Sequence, residues 1–172
     1  MNEKQKKEKL LISKLQSNNK TLIIEALQEI KEIGTITLLP YIFDLINDQI
    51  EEDVKKEVYF ILSNVHDKNA PQYYIKAIEE KNFGSLKSEV ISLCWQSSLD
   101  FSPYIEIFAQ IMLKSNDFQT ALEAFTVIEN SLSNATIENL KSCLNFLQNN
   151  QSHNNLINTL NDQLINMIIR KL

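Results

Sequence analysis

The sequence predicts an all-α protein, an α-solenoid of about four two-helix repeats with a capping helix at each end, and three observations lead there. The chain has 172 residues, 44% of them hydrophobic, yet only two glycines and three prolines. Ordinary usage is roughly 7% and 5%, and strand-joining turns depend on those two residues. Strands are therefore disfavoured, while the core can be sizeable. The prolines, Pro40, Pro71 and Pro103, stand 31 and 32 residues apart. Upstream of them run apolar i, i+4 pairs, Leu22/Ala26, Val54/Val58 and Leu86/Val90, followed by a fourth, Phe118/Leu122, each starting 32 residues after the last. A fixed period of this size is the signature of a repeat array.

The chain starts with a helix over 3–17, whose lysines Lys4, Lys6, Lys7 and Lys9 are interrupted by glutamates, as suits a solvated cap. Helical pairs follow at 19–33/37–48, 52–66/69–82, 85–98/102–115 and 117–131/134–149. The first helix of each pair continues its apolar stripe through Ile30 and Ile33, Ile61 and Val65, Leu93 and Cys94, and Phe125 and Ile128. Trp95, beside Cys94, is assigned to the core. Second helices begin near Thr37, Asn69, Ser102 and Asn134, side chains able to cap first-turn N–H groups. Each proline then falls in a first turn, where no intrahelical hydrogen bond is lost, with Ser102-Pro103 read as cap and first helical residue. Gly34 and Gly84 suit helix ends, where a left-handed residue is often needed. Polar QNNQSHNN, residues 148–155, links to a last helix over 154–171. There Ile157, Leu160, Leu164 and Ile168 form one stripe that should dock on the preceding pair. Ile165, Ile169 and Leu172 widen it and are the candidate oligomer contact.

Chemistry-bearing residues are sparse. His66 and His153 are the only histidines and neither has a ligand partner at metal-binding spacing, so no metal and no cofactor is expected. Neither glycine flanks a nucleophile of the kind that Ser-His-Asp chemistry places on a strained turn, and no catalytic residue is assigned. Glu51, Glu52, Asp53 and Glu57 gather at a helix start, where the macrodipole favours negative charge. Cys94 and Cys143 show no CxxC spacing and read as reduced core thiols of a cytoplasmic protein. The apolar run Leu10–Ile12 is too short for a signal peptide, and no stretch reaches the roughly 18 apolar residues of a membrane span. The net charge is −5, and among seventeen basic residues only Arg170 is arginine. Nucleic-acid readers favour arginine's planar fork and a basic domain, so neither nucleic acid nor membrane is an expected partner.

Over residues 19–149 the chain resembles the HEAT-repeat family, particularly its short bacterial form. The resemblance rests on the proline opening a second helix, as in LLPYIFDLI, and on a D-x-V-[KR]-like first-helix start. The latter is seen in EEDVKKEVYFIL (Asp53, Val54, Lys55) and more weakly in GSLKSEVISL (Leu86, Lys87). Lys55 and Lys87 stand where the family usually has arginine, and Gln119 departs from the pattern. Tetratricopeptide repeats have a similar period of about 34 residues, but their small-residue positions are absent. The resemblance implies a right-handed superhelix whose second helices line the concave side. Tyr41 and Tyr104 directly follow their prolines and Tyr73 is two places after its own, so these three phenols become candidate partner-binding residues. Tyrosine offers a large amphipathic contact surface. The expected function is a non-enzymatic scaffold or adaptor that binds another protein or peptide, as a monomer or a weak oligomer through its C-terminal helix. Two alternatives are a DNA-glycosylase-type HEAT-like enzyme, which would need a basic groove, and a structural subunit of a larger assembly.

Overall fold

The computed structural model describes residues 3–34 and 36–172. Met1 and Asn2, which precede the helix expected over 3–17, and Thr35, between the helices expected over 19–33 and 37–48, lie outside them. Among the described residues the protein is 74% helical and has no strand. Its helices are α1 (Glu3–Leu15), α2 (Lys20–Ile33), α3 (Leu39–Phe43), α4 (Glu52–Ser63), α5 (Pro71–Glu80), α6 (Lys87–Gln96), α7 (Ile105–Lys114), α8 (Phe118–Ser131), α9 (Ile137–Asn149) and α10 (Asn155–Ile169). Short 3-10 turns over Ile36–Leu38, Gly84–Leu86 and Ser102–Tyr104 lead into α3, α6 and α7. The expected all-α class and helix order are present. The chain divides into two compact units, Met1–Leu86 and Lys87–Leu172, so the division falls at the start of the third hairpin.

Helix entry differs from expectation at the second helices. Pro71 is the first residue of α5, Pro40 the second of α3 and Pro103 the second of its 3-10 turn, so all three prolines occupy first turns. Thr37, Asn69, Ser102 and Asn134, however, do not cap. A capping side chain needs an extended backbone at the cap position, whereas Leu38 (φ −89°, ψ −11°) and Ala70 (φ −68°, ψ −35°) are already helical. The polar closure moves upstream instead. Asp67 accepts the Asn69 N–H at 2.8 Å and Asp100 accepts the Ser102 N–H at 2.9 Å. At the fourth hairpin Thr136 replaces Asn134, accepting the Asn139 N–H. The helix expected over 37–48 stops at Phe43. Beyond it Asn47 donates to the Leu45 carbonyl and accepts the Gln49 N–H, a local arrangement that competes with helix continuation.

In the first unit α2 packs on α4, α3 on α5, and α1 against both α2 and α3. Ala26 and Val58, 32 residues apart, are fully buried. Phe43 meets Tyr74 edge-on at 5.0 Å and Phe83 at 6.4 Å. The Tyr74 hydroxyl, fully buried, donates to the Leu62 carbonyl at 2.5 Å, so the polar tip of this core aromatic is satisfied. Lysines tie the helices together outside the core: Lys7 to Glu29 (2.9 Å), Lys14 to Glu25 (3.1 Å), Lys20 to both Glu51 and Asp53 (2.9 Å each), and Lys31 to Glu57. Each such surface pair contributes about 0–1 kcal/mol. Gly34 closes α2 in the left-handed region (φ 58°), its N–H on the Ile30 carbonyl. Gly84 (φ 54°) has a second constraint, since a Cβ there would collide with the Asp48 carboxylate. That carboxylate accepts both the N–H (3.0 Å) and the hydroxyl (2.7 Å) of Ser85, which hold its pKa below the usual range.

In the second unit α6 packs on α8, α7 on both α8 and α9, and α10 against α7, α8 and α9. Val90 keeps the 32-residue register and is fully buried. The register then shifts. Phe118 is 37% exposed and Leu122 half-buried, while Ala121, Ala124, Phe125 and Ile128 are buried. Three helices crowd α8, and its buried sector turns toward Ala121 and Ala124, small enough to let them approach. Trp95 is not in the core but 39% exposed. Cys94 takes the inward position and the Trp95 indole donates instead to Glu123 on α8 at 2.7 Å. The last helix docks as expected, with Ile157, Leu160, Leu164 and Ile168 buried. Buried Asn161 adds a polar lock, its amide donating to the carbonyls of Leu147 (3.2 Å) and Asn150 (3.3 Å) where α9 ends.

Three measurements check this packing. Val90→Asp should cost about 3 kcal/mol or more by burying a charge, whereas exposed Lys87→Ala should stay within about 0.5 kcal/mol in denaturant titration. Gly84→Ala should destabilise more than Gly34→Ala in the same assay: both carry the left-handed strain of about 1–2 kcal/mol, and only the first also expels Asp48 from Ser85. Asp117 caps α8, and the Thr120 hydroxyl, followed by the backbone N–H groups of Thr120 and Gln119, lowers its pKa. Its contribution is therefore complete above the unfolded value of about 3.9 and is lost as pH falls through the lower folded value. Asp117→Ala should cost about 1 kcal/mol at neutral pH, and melting curves of variant and wild type should converge on acidification.

Candidate functional site

The three candidate tyrosines share one local position. Tyr41 is the third residue of α3, Tyr73 the third of α5, and Tyr104 the third of the 3-10 turn entering α7. The extra residue between Pro71 and Tyr73 disappears as an irregularity, because Pro71 opens its helix one position earlier than the other two prolines do. All three are half-buried, in contrast to the core tyrosine Tyr74. Tyr41 and Tyr73 belong to the first unit and Tyr104 to the second. Tyr41 lines a hollow of about 490 Å³ with Ile23, Ile50 and Val54, rimmed by Lys20 and Glu51. Lys20 there stays firmly an ammonium, its pKa raised by hydrogen bonds to Glu51 and then Asp53.

The C-terminal candidates separate. Ile165 is half-buried, while Ile169 and Leu172 remain 50% and 51% exposed after α10 has docked.

A cleft that the sequence reading missed opens in the first unit, where α2 and α4 end. It measures about 340 Å³, within the range of about 300–1,000 Å³ typical of ligand pockets. Ile30, Leu39, Ile42 and Ile61 form its apolar lining, and Asn64, His66 and Asp67 add polar groups. Phe60, 54% exposed, also lines it, with the Lys31 ammonium 4.3 Å from the ring centroid. Lys31 is held there by its ion pair with Glu57. Gly34 contributes a wall with open space where a side chain would project. The available signal was the surplus of apolar positions on α4: Val54, Val58, Ile61 and Leu62 complete the buried stripe, leaving Phe60 outside it.

The thiols lie away from these hollows. Cys94 and Cys143 are buried and unpaired with each other. Burial pushes both pKa values up, that of Cys143 to about 12, so each is a neutral thiol at physiological pH. Among the described residues no group of three or more His, Cys, Asp and Glu side chains is placed to hold a metal ion, and no helix is long and apolar enough to cross a membrane. The first unit's surface carries apolar hollows with polar margins. No family model, no curated protein and no solved structure matches the chain.

Proposed function

We propose that the chain is a cytoplasmic, non-enzymatic scaffold or adaptor of HEAT-like solenoid construction that binds a partner protein or peptide through a repeat-built surface. The repeat reading is supported within each unit by the choice of neighbours. First helices pack on first helices, α2 on α4 and α6 on α8, and second on second, α3 on α5 and α7 on α9, while α7 also packs on α8, the first helix of the next pair. That is how hairpins too small to bury their own apolar faces become stable.

The observation that carries the binding reading is the half-buried tyrosine at the third position of α3, of α5 and of the turn into α7. Other residues fill the core at those places, Ile42 and Phe43, Tyr74 and Ile75, Ile105 and Phe108, which frees the phenols to present area to a partner. Binding energy in such surfaces concentrates in a few aromatic anchors, and the cleft beside Phe60 supplies a pocket that could receive one from the partner. The acidic balance and single arginine disfavour a phosphate backbone as that partner, since such binding runs on lysine and arginine contacts. Ile169 and Leu172 offer a weak self-contact.

The test is the double variant Tyr41→Ala/Tyr104→Ala. Its melting temperature should stay close to wild type, and its affinity for a partner captured with the wild-type chain should fall by about 2 kcal/mol for each anchor. A large drop in melting temperature would show the tyrosines to be packing residues and remove them from the site.

A further inference from the structure

The end of α6 carries a second kind of site. Trp95, Asp100, Phe101, Asn130 and Asn134 line a hollow of about 170 Å³ within the second unit. That is below the roughly 300 Å³ at which small-molecule pockets begin, and it suits one long side chain rather than a cofactor. Trp95 is the chain's only tryptophan. Its indole is pinned by the edge to Glu123 while the residue stays 39% exposed, so the ring is rigid and available.

The surroundings decide the sign of the occupant. Between Lys87 and Lys141 the sequence holds seven carboxylates and a single basic residue, Lys114, and the lining of the hollow itself holds Asp100 and no basic residue. Several of these carboxylates engage neutral donors. Glu123 accepts from the Trp95 indole and the Gln119 amide, and Asp100 accepts from the Ser102 N–H. Such bonds orient the carboxylates without cancelling their charge, unlike the lysine pairs of the first unit. The C-terminal end of α6 adds its own partial negative charge. An exposed indole beside uncompensated carboxylates attracts a cation over the ring, and the side-chain oxygens of Asn130, Asn134 and Asp100 offer several acceptors at once. A guanidinium, planar and with five donors, matches that array better than an ammonium.

We propose that this hollow takes an arginine side chain from a basic segment of a partner protein, with the guanidinium laid on Trp95 and its charge met by Asp100 and Glu123. The proposal rests on the protein-recognition reading but uses residues independent of the tyrosines.

Because Trp95 is the only tryptophan, its emission reports on this hollow alone. The full chain is titrated with an arginine–glycine repeat peptide and with the same peptide carrying citrulline, a neutral analogue of arginine of nearly the same shape. The arginine peptide should change Trp95 emission saturably and bind more weakly as salt rises, while the citrulline peptide should leave the emission flat. Asp100→Asn/Glu123→Gln keeps the hydrogen-bonding oxygens and removes two charges. It should raise the dissociation constant tenfold or more at an unchanged melting temperature. A flat response to the arginine peptide, an equal response to citrulline, or unweakened binding by the charge variant overturns the proposal. The Tyr41→Ala/Tyr104→Ala chain should respond to the arginine peptide as wild type does. If the peptide fails while that variant still loses its captured partner, this inference falls and the scaffold reading stands.

Discussion

A hairpin of two short helices cannot bury its own apolar faces, and the rest of this structure follows from that constraint. The extreme case is α3, five residues long, less than two turns and far below the length at which an isolated helix holds in water. It exists because Leu38, Leu39, Ile42 and Phe43 are all buried, with Phe43 set against Tyr74 of the next hairpin and Phe83 beyond it. Tyr74 in turn satisfies a carbonyl at the end of α4. Within each unit the helices are completed by their neighbours, and helix propensity contributes little beyond deciding where the helices begin.

The two units meet the constraint with different means, and the difference sets their surfaces. In the first, lysines bridge α1 to α2 and α2 to α4, so much of the acidic charge is matched locally. In the second, α10 contributes a continuous apolar stripe to α7, α8 and α9, and carboxylates such as Glu106, Asp117 and Glu123 turn to hydroxyl, backbone and indole donors. Apolar docking by α10 thus does in the second unit part of the fastening that lysine pairs do in the first.

The 32-residue period made the helix order legible, and it located Ala26, Val58 and Val90 in the core. The periodicity failed at Leu122, and the placing of Trp95 in the core beside Cys94 failed as well. A stripe identifies a helix face to within a residue or so, but which of two adjacent side chains turns inward depends on how many neighbours press on the helix. Three press on α8. The missed caps have a different origin: Asn69 and Ser102 have the right chemistry, but the cap positions fall on Ala70 and Phe101, neither with an extended backbone, so Asp67 and Asp100 close the loops from upstream. The cleft beside Phe60 was out of reach because its walls come from α2 and α4, about thirty residues apart, meeting only when the hairpins stack. The recurring tyrosine position, by contrast, was visible once the proline was used as the marker, and the helix starts removed its single irregularity.

Exposed apolar side chains by themselves say little, because most protein surfaces carry them singly. Ile137 and Leu156 are 64% and 61% exposed and belong to none of the hollows described, so nothing further follows from them. Phe60 and Trp95 differ in being fixed. Phe60 lies under an ammonium already held by Glu57, and Trp95 is tied by its indole nitrogen to Glu123. A side chain immobilised before binding loses less rotamer freedom when a partner arrives, so more of its contact area is expressed as affinity. Each also lies beside a concavity with polar margins, one larger and apolar, the other smaller and acidic. These two pre-set aromatics are therefore the places where stacking hairpins leaves behind a surface with more order than stability alone requires.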